Sequence, residues 1–230
     1  MRRTRREWMM AMAGGVPLAA FAQSNRPEPG AYSVNPALLE IEDTAGLPRV
    51  LLIGDSISIG YTLYVREMLA GQANVHRIPT NGGPTPKGVE NIESWLGKGK
   101  WDVVHFNWGL HDLKYMYDDR PQVSLEQYEY NMDRLVGRLK KTGAKLIWAS
   151  TTPVPNEKVS PKRIPADVER YNEAAARVMR KHGVATDDLY SFAKPRLAKI
   201  QMPDNVHFSK EGSRELAEQV VAEIRKALGK

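Results

Sequence analysis

A serine and a histidine stand near opposite ends of the chain, each inside a short polar motif: Gly54-Asp55-Ser56 and Asp204-Asn205-Val206-His207. A serine hydroxyl is a weak nucleophile until an imidazole takes its proton and a carboxylate orients the imidazole. The two motifs supply all three groups. His207 suits the role of base because the ordinary histidine pKa lies near neutrality. Asp204 lies three residues earlier, and in a turn or a first helical turn side chains at i and i+3 meet. Ser56, Asp204 and His207 are therefore the candidate catalytic residues, and the chemistry they imply is acyl transfer through a serine ester. Such chemistry also needs N–H donors for the developing oxyanion. The Ser56 backbone N–H, at a helix start, is one candidate. Gly83 offers another, because no side chain blocks approach to its amide.

The elements that must position these groups are legible from apolar runs and turn residues. The run Val50-Leu51-Leu52-Ile53 predicts a buried strand that stops at the serine motif. Further strands are expected over 73–78, 101–107, 144–150 and 183–186. Helices are expected over 57–70, 88–96, 125–141, 167–182, 188–200 and 209–228. Near-continuous apolar strands alternating with helices indicate a parallel sheet covered on both faces, an α/β fold. In such a sheet the ligand crevice lies beyond the carboxyl ends of the strands, which is where the polar candidates fall.

Of the 230 residues, 42% are apolar, enough for one domain with a sizeable core. The N-terminus is a separate matter. Arg2, Arg3, Arg5 and Arg6 precede a mildly apolar stretch, and Ala20-Phe21-Ala22 ends it as a small-x-small cleavage site. Residues 1–22 read as a cleaved export signal, and Thr4 to Met9 resembles the twin-arginine type. Residues 23–48 read as a Pro- and Gly-punctuated leader, and 49–230 as the catalytic domain. The signal carries +3 of the formal net charge of +6. The remainder is too mild to argue for a nucleic-acid partner. No apolar run is long enough to span a membrane. The chain has no cysteine, which excludes disulfides, thiolate zinc and a cysteine nucleophile. No two histidines have metal-ligand spacing, so neither a metal nor another cofactor is expected.

At these motifs the chain resembles the SGNH (GDSL-type) hydrolases, serine esterases, lipases and carbohydrate deacetylases. The resemblance covers roughly residues 48–228 and implies a flavodoxin-like three-layer α/β/α sandwich with a central, mostly parallel sheet. The family's first block is Gly54-Asp55-Ser56. Its second is a glycine after the second strand, here Gly83 or Gly82, and its last is the Asp204/His207 pair. The third block departs from the family pattern. Where the family has Gly-x-Asn-Asp, this chain reads Gly109-Leu110-His111-Asp112. The side-chain donor of the oxyanion hole is then either His111, as a neutral imidazole, or Asn107 at the strand end. Tyr115 and Thr152 are candidate substrate-binding residues, on the aromatic segment 114–117 and the loop that opens at Thr151. The expected activity is an exported serine esterase, with O-acetyl groups on carbohydrate as the substrate class. Acyl transfer to a sugar hydroxyl and non-catalytic carbohydrate binding are the alternatives.

Overall fold

The computed structural model describes residues 35–116, 118–156 and 158–230. The expected export signal lies outside the described residues, as does the first part of the leader. Five strands form one sheet: β1 (Arg49–Ile53), β2 (Asn74–Arg77), β3 (Val103–Phe106), β4 (Lys145–Ala149) and β5 (Ala185–Asp187). They are ordered β2-β1-β3-β4-β5, and every neighbouring pair is parallel. Val50 to Ile53 in β1 and all of β3 are buried, as expected of strands covered on both faces.

Seven α-helices complete the described fold: α1 (Ser56–Met68), α2 (Thr85–Leu96), α3 (Leu125–Lys140), α4 (Pro165–His182), α5 (Leu189–Ala193), α6 (Leu197–Ile200) and α7 (Lys210–Leu228). α1 packs against α7, while α3 packs against both α2 and α4, giving the three-layer α/β/α sandwich. The strand order reverses at β1, whose chain continues to β2 on one side while β3 lies on the other. Ligands bind at such switch points. Ser56 follows β1 and the segment 107–112 follows β3, so the two meet there. The α1–α7 contact carries the start of α7, and with it His207, towards the start of α1.

Three expectations change. The single helix expected over 188–200 is broken into α5, a 3-10 turn (Lys194–Arg196) and α6. Pro195, within that turn, has no N–H for the helical ladder. β5 starts at Ala185 because Gly183 serves as the C-cap of α4. The second half of the leader packs onto the domain: Arg66 donates to Pro36 O and Leu39 O, and Asn74 Nδ2 donates to Thr44 O.

His105 is fully buried in β3. Its Nε2 lies 2.9 Å from Asp187 Oδ2, and Gln219 of α7 donates to the other oxygen of that carboxylate. This network ties β3 and β5 to α7, the helix that follows the turn holding His207.

Candidate active site

Strand β1 ends in a turn whose polar atoms are nearly all committed. Asp55 is the N-cap of α1, and its Oδ1 accepts from Ile57 N–H at 2.9 Å. Gly82 N–H donates to Gly54 O at 2.9 Å. A Cβ at position 82 would stand 2.9 Å from that same oxygen, so only glycine permits the approach. From the end of β2, buried Arg77 donates to four carbonyls: Gly54 (2.7 Å), Asp55 (3.0 Å), Ile78 (2.9 Å) and Thr80 (2.7 Å). No carboxylate pairs with it among the described residues. Burial pushes its guanidinium down to about 10, so it remains charged at neutral pH. Sequence reasoning missed Arg77, because a lone arginine at a strand end reads as surface. The usable signal was its place at the end of a short strand segment, next to the apolar Ile78.

Ser56 is the first residue of α1, where helix geometry leaves its N–H without an intrahelical partner. Its Oγ lies 2.8 Å from His207 Nε2. The structure thus brings together two of the three expected catalytic residues. Asp204 is not on the ring. The expected helical turn does not form, because residues 201–208 make a tight antiparallel turn before α7 begins. Gln201 bridges Phe208, Met202 N–H donates to His207 O, and Ser209 caps α7. Asp204 sits at the tip with a left-handed φ of 50°, and its Oδ1 accepts from Asn156 Nδ2 at 2.7 Å. The group on His207 Nδ1 is the Oδ1 of Asn205, at 2.7 Å.

The expected oxyanion donors separate in the same way. Gly83 N–H donates to Asn81 Oδ1 at 2.9 Å, so it reaches an oxyanion only by sharing or leaving that acceptor. Asn107 Nδ2 donates to Ala149 O at 2.8 Å, which commits the carboxamide to the end of β4. His111 is half-buried and makes no hydrogen bond among the described residues. Burial lowers its pKa, with the charge of Asp55 pulling the other way, and a lowered pKa favours the neutral ring that offers a single N–H.

Below it, fully buried Asp112 Oδ1 accepts from the Thr85 N–H and hydroxyl. The N-cap of α2 is Pro84, which has no capping side chain, so Asp112 caps this helix from a neighbouring loop. Burial pushes its carboxyl up to about 7, against the hydrogen bonds from Thr85.

Neither expected substrate-binding residue is free for that role. Tyr115 donates its hydroxyl to Asp167 Oδ2, and the Lys162 ammonium stands 5.0 Å from its ring centre. Thr152 is buried and lines a small space of about 10 Å³ beside the serine turn, with Asp55, Ser58 and Asn107. Tyr117, the other aromatic of that segment, lies outside the described residues. A much larger cavity, about 560 Å³, opens elsewhere among Lys140, Lys145, His182 and Lys226. Neither Ser56 nor His207 lines it, so size does not locate the chemistry. Among the described residues no helix is long and apolar enough to cross a membrane.

Solved structures share this fold. A lipase/acylhydrolase from Enterococcus faecalis superposes with a TM-score of 0.68 at 22% identity, over 78% of this chain and 96% of its own. An acetylxylan esterase from Geobacillus stearothermophilus gives 0.65 at 20% identity, over 77% and 94%. The acetyl xylan esterase AlAXEase gives 0.66 at 16%, over 76% and 99%. At these identities the likeness is one of fold. No curated protein sequence matches the chain. The model of the GDSL-like Lipase/Acylhydrolase family matches residues 52–215, a span that holds both the serine turn and the His207 turn, and the chain belongs to that family.

Proposed function

We propose that the protein is a serine esterase that removes acyl groups, O-acetyl on carbohydrate above all, through an acyl-enzyme. The observation that carries this reading is the 2.8 Å contact between Ser56 Oγ and His207 Nε2, at the start of α1 and the carboxyl edge of β1. His207 takes the hydroxyl proton at Nε2 as Oγ attacks the ester carbonyl. The tetrahedral oxyanion meets the Ser56 N–H and the N–H of neutral His111. Collapse expels the alcohol, which takes the proton back from His207. Water, deprotonated by the same nitrogen, then releases the acid and restores the serine.

Carbohydrate as the alcohol is supported by two of the fold relatives, which are described as acetyl xylan esterases. Export is supported by the three-part N-terminal pattern alone. The test is acid release from 4-nitrophenyl acetate and from a panel of acetylated oligosaccharides. Wild type turns over at least one of them, and Ser56→Ala loses on the order of a thousandfold or more in kcat/KM. Wild type inactive on every ester, or activity surviving in Ser56→Ala, overturns the proposal.

A further inference from the structure

Around His111 stand three cations that no carboxylate answers among the described residues. Leu113 N–H donates to Gly109 O, which closes one helical turn in the loop after β3. His111 and Lys114 stand three residues apart here, the spacing at which helical side chains share a face. The half-buried Lys114 ammonium makes no hydrogen bond or ion pair among the described residues. Burial lowers its pKa, and so does the charge of Arg163. Arg163, in the loop before α4, is 5% exposed and donates only to carbonyls: Leu110 O at 2.8 Å and Pro161 O at 3.0 Å. It braces the residue beside His111 and leaves its charge without a counter-ion. Lys87 of α2 is the third cation. Its stem lies across Gly83, where a Cβ would stand 3.0 Å from Lys87 Cδ, and its ammonium donates to Asn81 O at 2.9 Å. The charges of all three act on the His111 ring and oppose its protonation.

The acidic groups of this region are committed elsewhere. Asp55 caps α1 and Asp112 holds Thr85, while Asp167 pairs with Tyr115 and Arg170, and Asp119 with Lys162. A buried cation without a counter-ion carries a desolvation cost that an incoming anion would offset. An oxyanion needs N–H donors aimed at one atom. Three cations on three chain segments instead set up a field over the crevice, and such a field selects a charged substrate.

We propose that the ester preferred at this site is one on an acidic carbohydrate, whose carboxylate or sulfate pairs with the Lys114 ammonium while Arg163 and Lys87 supply the supporting charge. The proposal rests on the esterase reading for its kinetic arm, and its binding arm is independent of that reading.

The kinetic arm measures acid release from three O-acetylated trimers: galacturonate, sulfated galactose and unmodified galactose. Wild type favours one or both charged trimers by about tenfold or more in kcat/KM, mainly through KM, and the preference shrinks as salt is raised. A preference for either charged trimer upholds the proposal and identifies the anion. Lys114→Gln cuts that preference about tenfold, Lys114→Glu reverses it and Lys114→Arg retains it. Lys226→Gln, in the cavity that neither Ser56 nor His207 lines, leaves it intact. Equal kcat/KM on charged and neutral trimers overturns the proposal. So does a Lys114→Gln loss that falls on kcat and is the same for all three esters, since the ammonium would then serve the oxyanion. If wild type cleaves no ester, 4-nitrophenyl acetate included, the proposed reaction falls and calorimetry decides the rest. Ser56→Ala then binds a charged acetylated trimer about tenfold or more tighter than the galactose trimer, and adding Lys114→Gln removes the difference. Equal affinities for charged and neutral trimers overturn the proposal on this arm.

Discussion

The turn at Ser56 and the loop at His111 face one another across the crevice between β1 and β3, and they are built on opposite plans. At the serine turn the polar groups are spent on the backbone: Arg77 serves four carbonyls, Gly82 a fifth contact, and Asp55 the helix start. At the β3 loop the anchoring is pushed one residue down, onto Asp112, and His111 above it keeps its ring uncommitted. A nucleophile has to be held in one place before substrate arrives. An oxyanion donor has to be held by its backbone and left free at its tip. The contrast teaches that commitment and freedom are assigned residue by residue within one rim.

The largest way to break this comparison is at Arg77. Arg77→Met removes the donors from four carbonyls in a buried turn, where one unsatisfied group costs about 1–3 kcal/mol. We expect about 3 kcal/mol or more of lost stability, measured by urea denaturation. A loss below about 1 kcal/mol would mean that water replaces the guanidinium and that the turn holds without it.

Next comes His111→Ala, which leaves the fold alone and removes the free donor. It should lower kcat by about 10- to 100-fold, or about 1.4–2.7 kcal/mol, with stability within about 0.5 kcal/mol. Asn107→Ala serves as the reversed case, costing stability more than turnover, because its carboxamide holds Ala149 O. Unchanged kcat in His111→Ala would return the donor role to other groups.

The smallest effect is at Asp112. Its folded carboxyl titrates at about 7, while an unfolded aspartate titrates near 3.9. Between these values the folded chain holds a proton that the unfolded chain has lost. Stability therefore falls as pH rises through that window, by up to about 1.4 kcal/mol per unit. With part of the titration already complete, the drop from pH 6 to pH 7 is about 1 kcal/mol. Asp112→Asn keeps the oxygen that Thr85 bonds and abolishes the titration, so its urea midpoint should be flat over that interval. Equal slopes in wild type and variant would remove Asp112 as the source.

Much of this architecture is legible in the sequence because it depends on local rules. Val50 to Ile53 can only be a covered strand, and Gly54-Asp55-Ser56 at its end supplies a close approach, a cap and a hydroxyl in order. The strand alternation also placed the segment 107–112 on the same rim as Ser56. What stayed hidden depends on turn geometry and on contacts distant in sequence. The i, i+3 argument for Asp204 presupposed a helical turn, and the bridge between Gln201 and Phe208 replaces it with a hairpin-like one. One residue's change of direction moved the ring contact from Asp204 to Asn205. Arg77 was silent for a related reason, since its four acceptors come from two different chain segments. Thr152 and Tyr115 lie on the loops that follow β4 and β3, but sequence does not tell which way a loop side chain points.

The grip on residues 36–44 has a practical consequence for where this domain begins. Arg66 holds Pro36 O and Leu39 O, and Asn74 at the sheet edge exchanges hydrogen bonds with Thr44 in both directions. Proteolytic cleavage within residues 36–44 should therefore be slow, although this segment lies ahead of the first strand. Trimming the gene at residue 49 would leave buried Asn74 without its Thr44 and Leu47 partners and strip Arg66 of two of its three carbonyls. Two side chains that reach backwards, and not the first residue of the sheet, hold this segment to the domain.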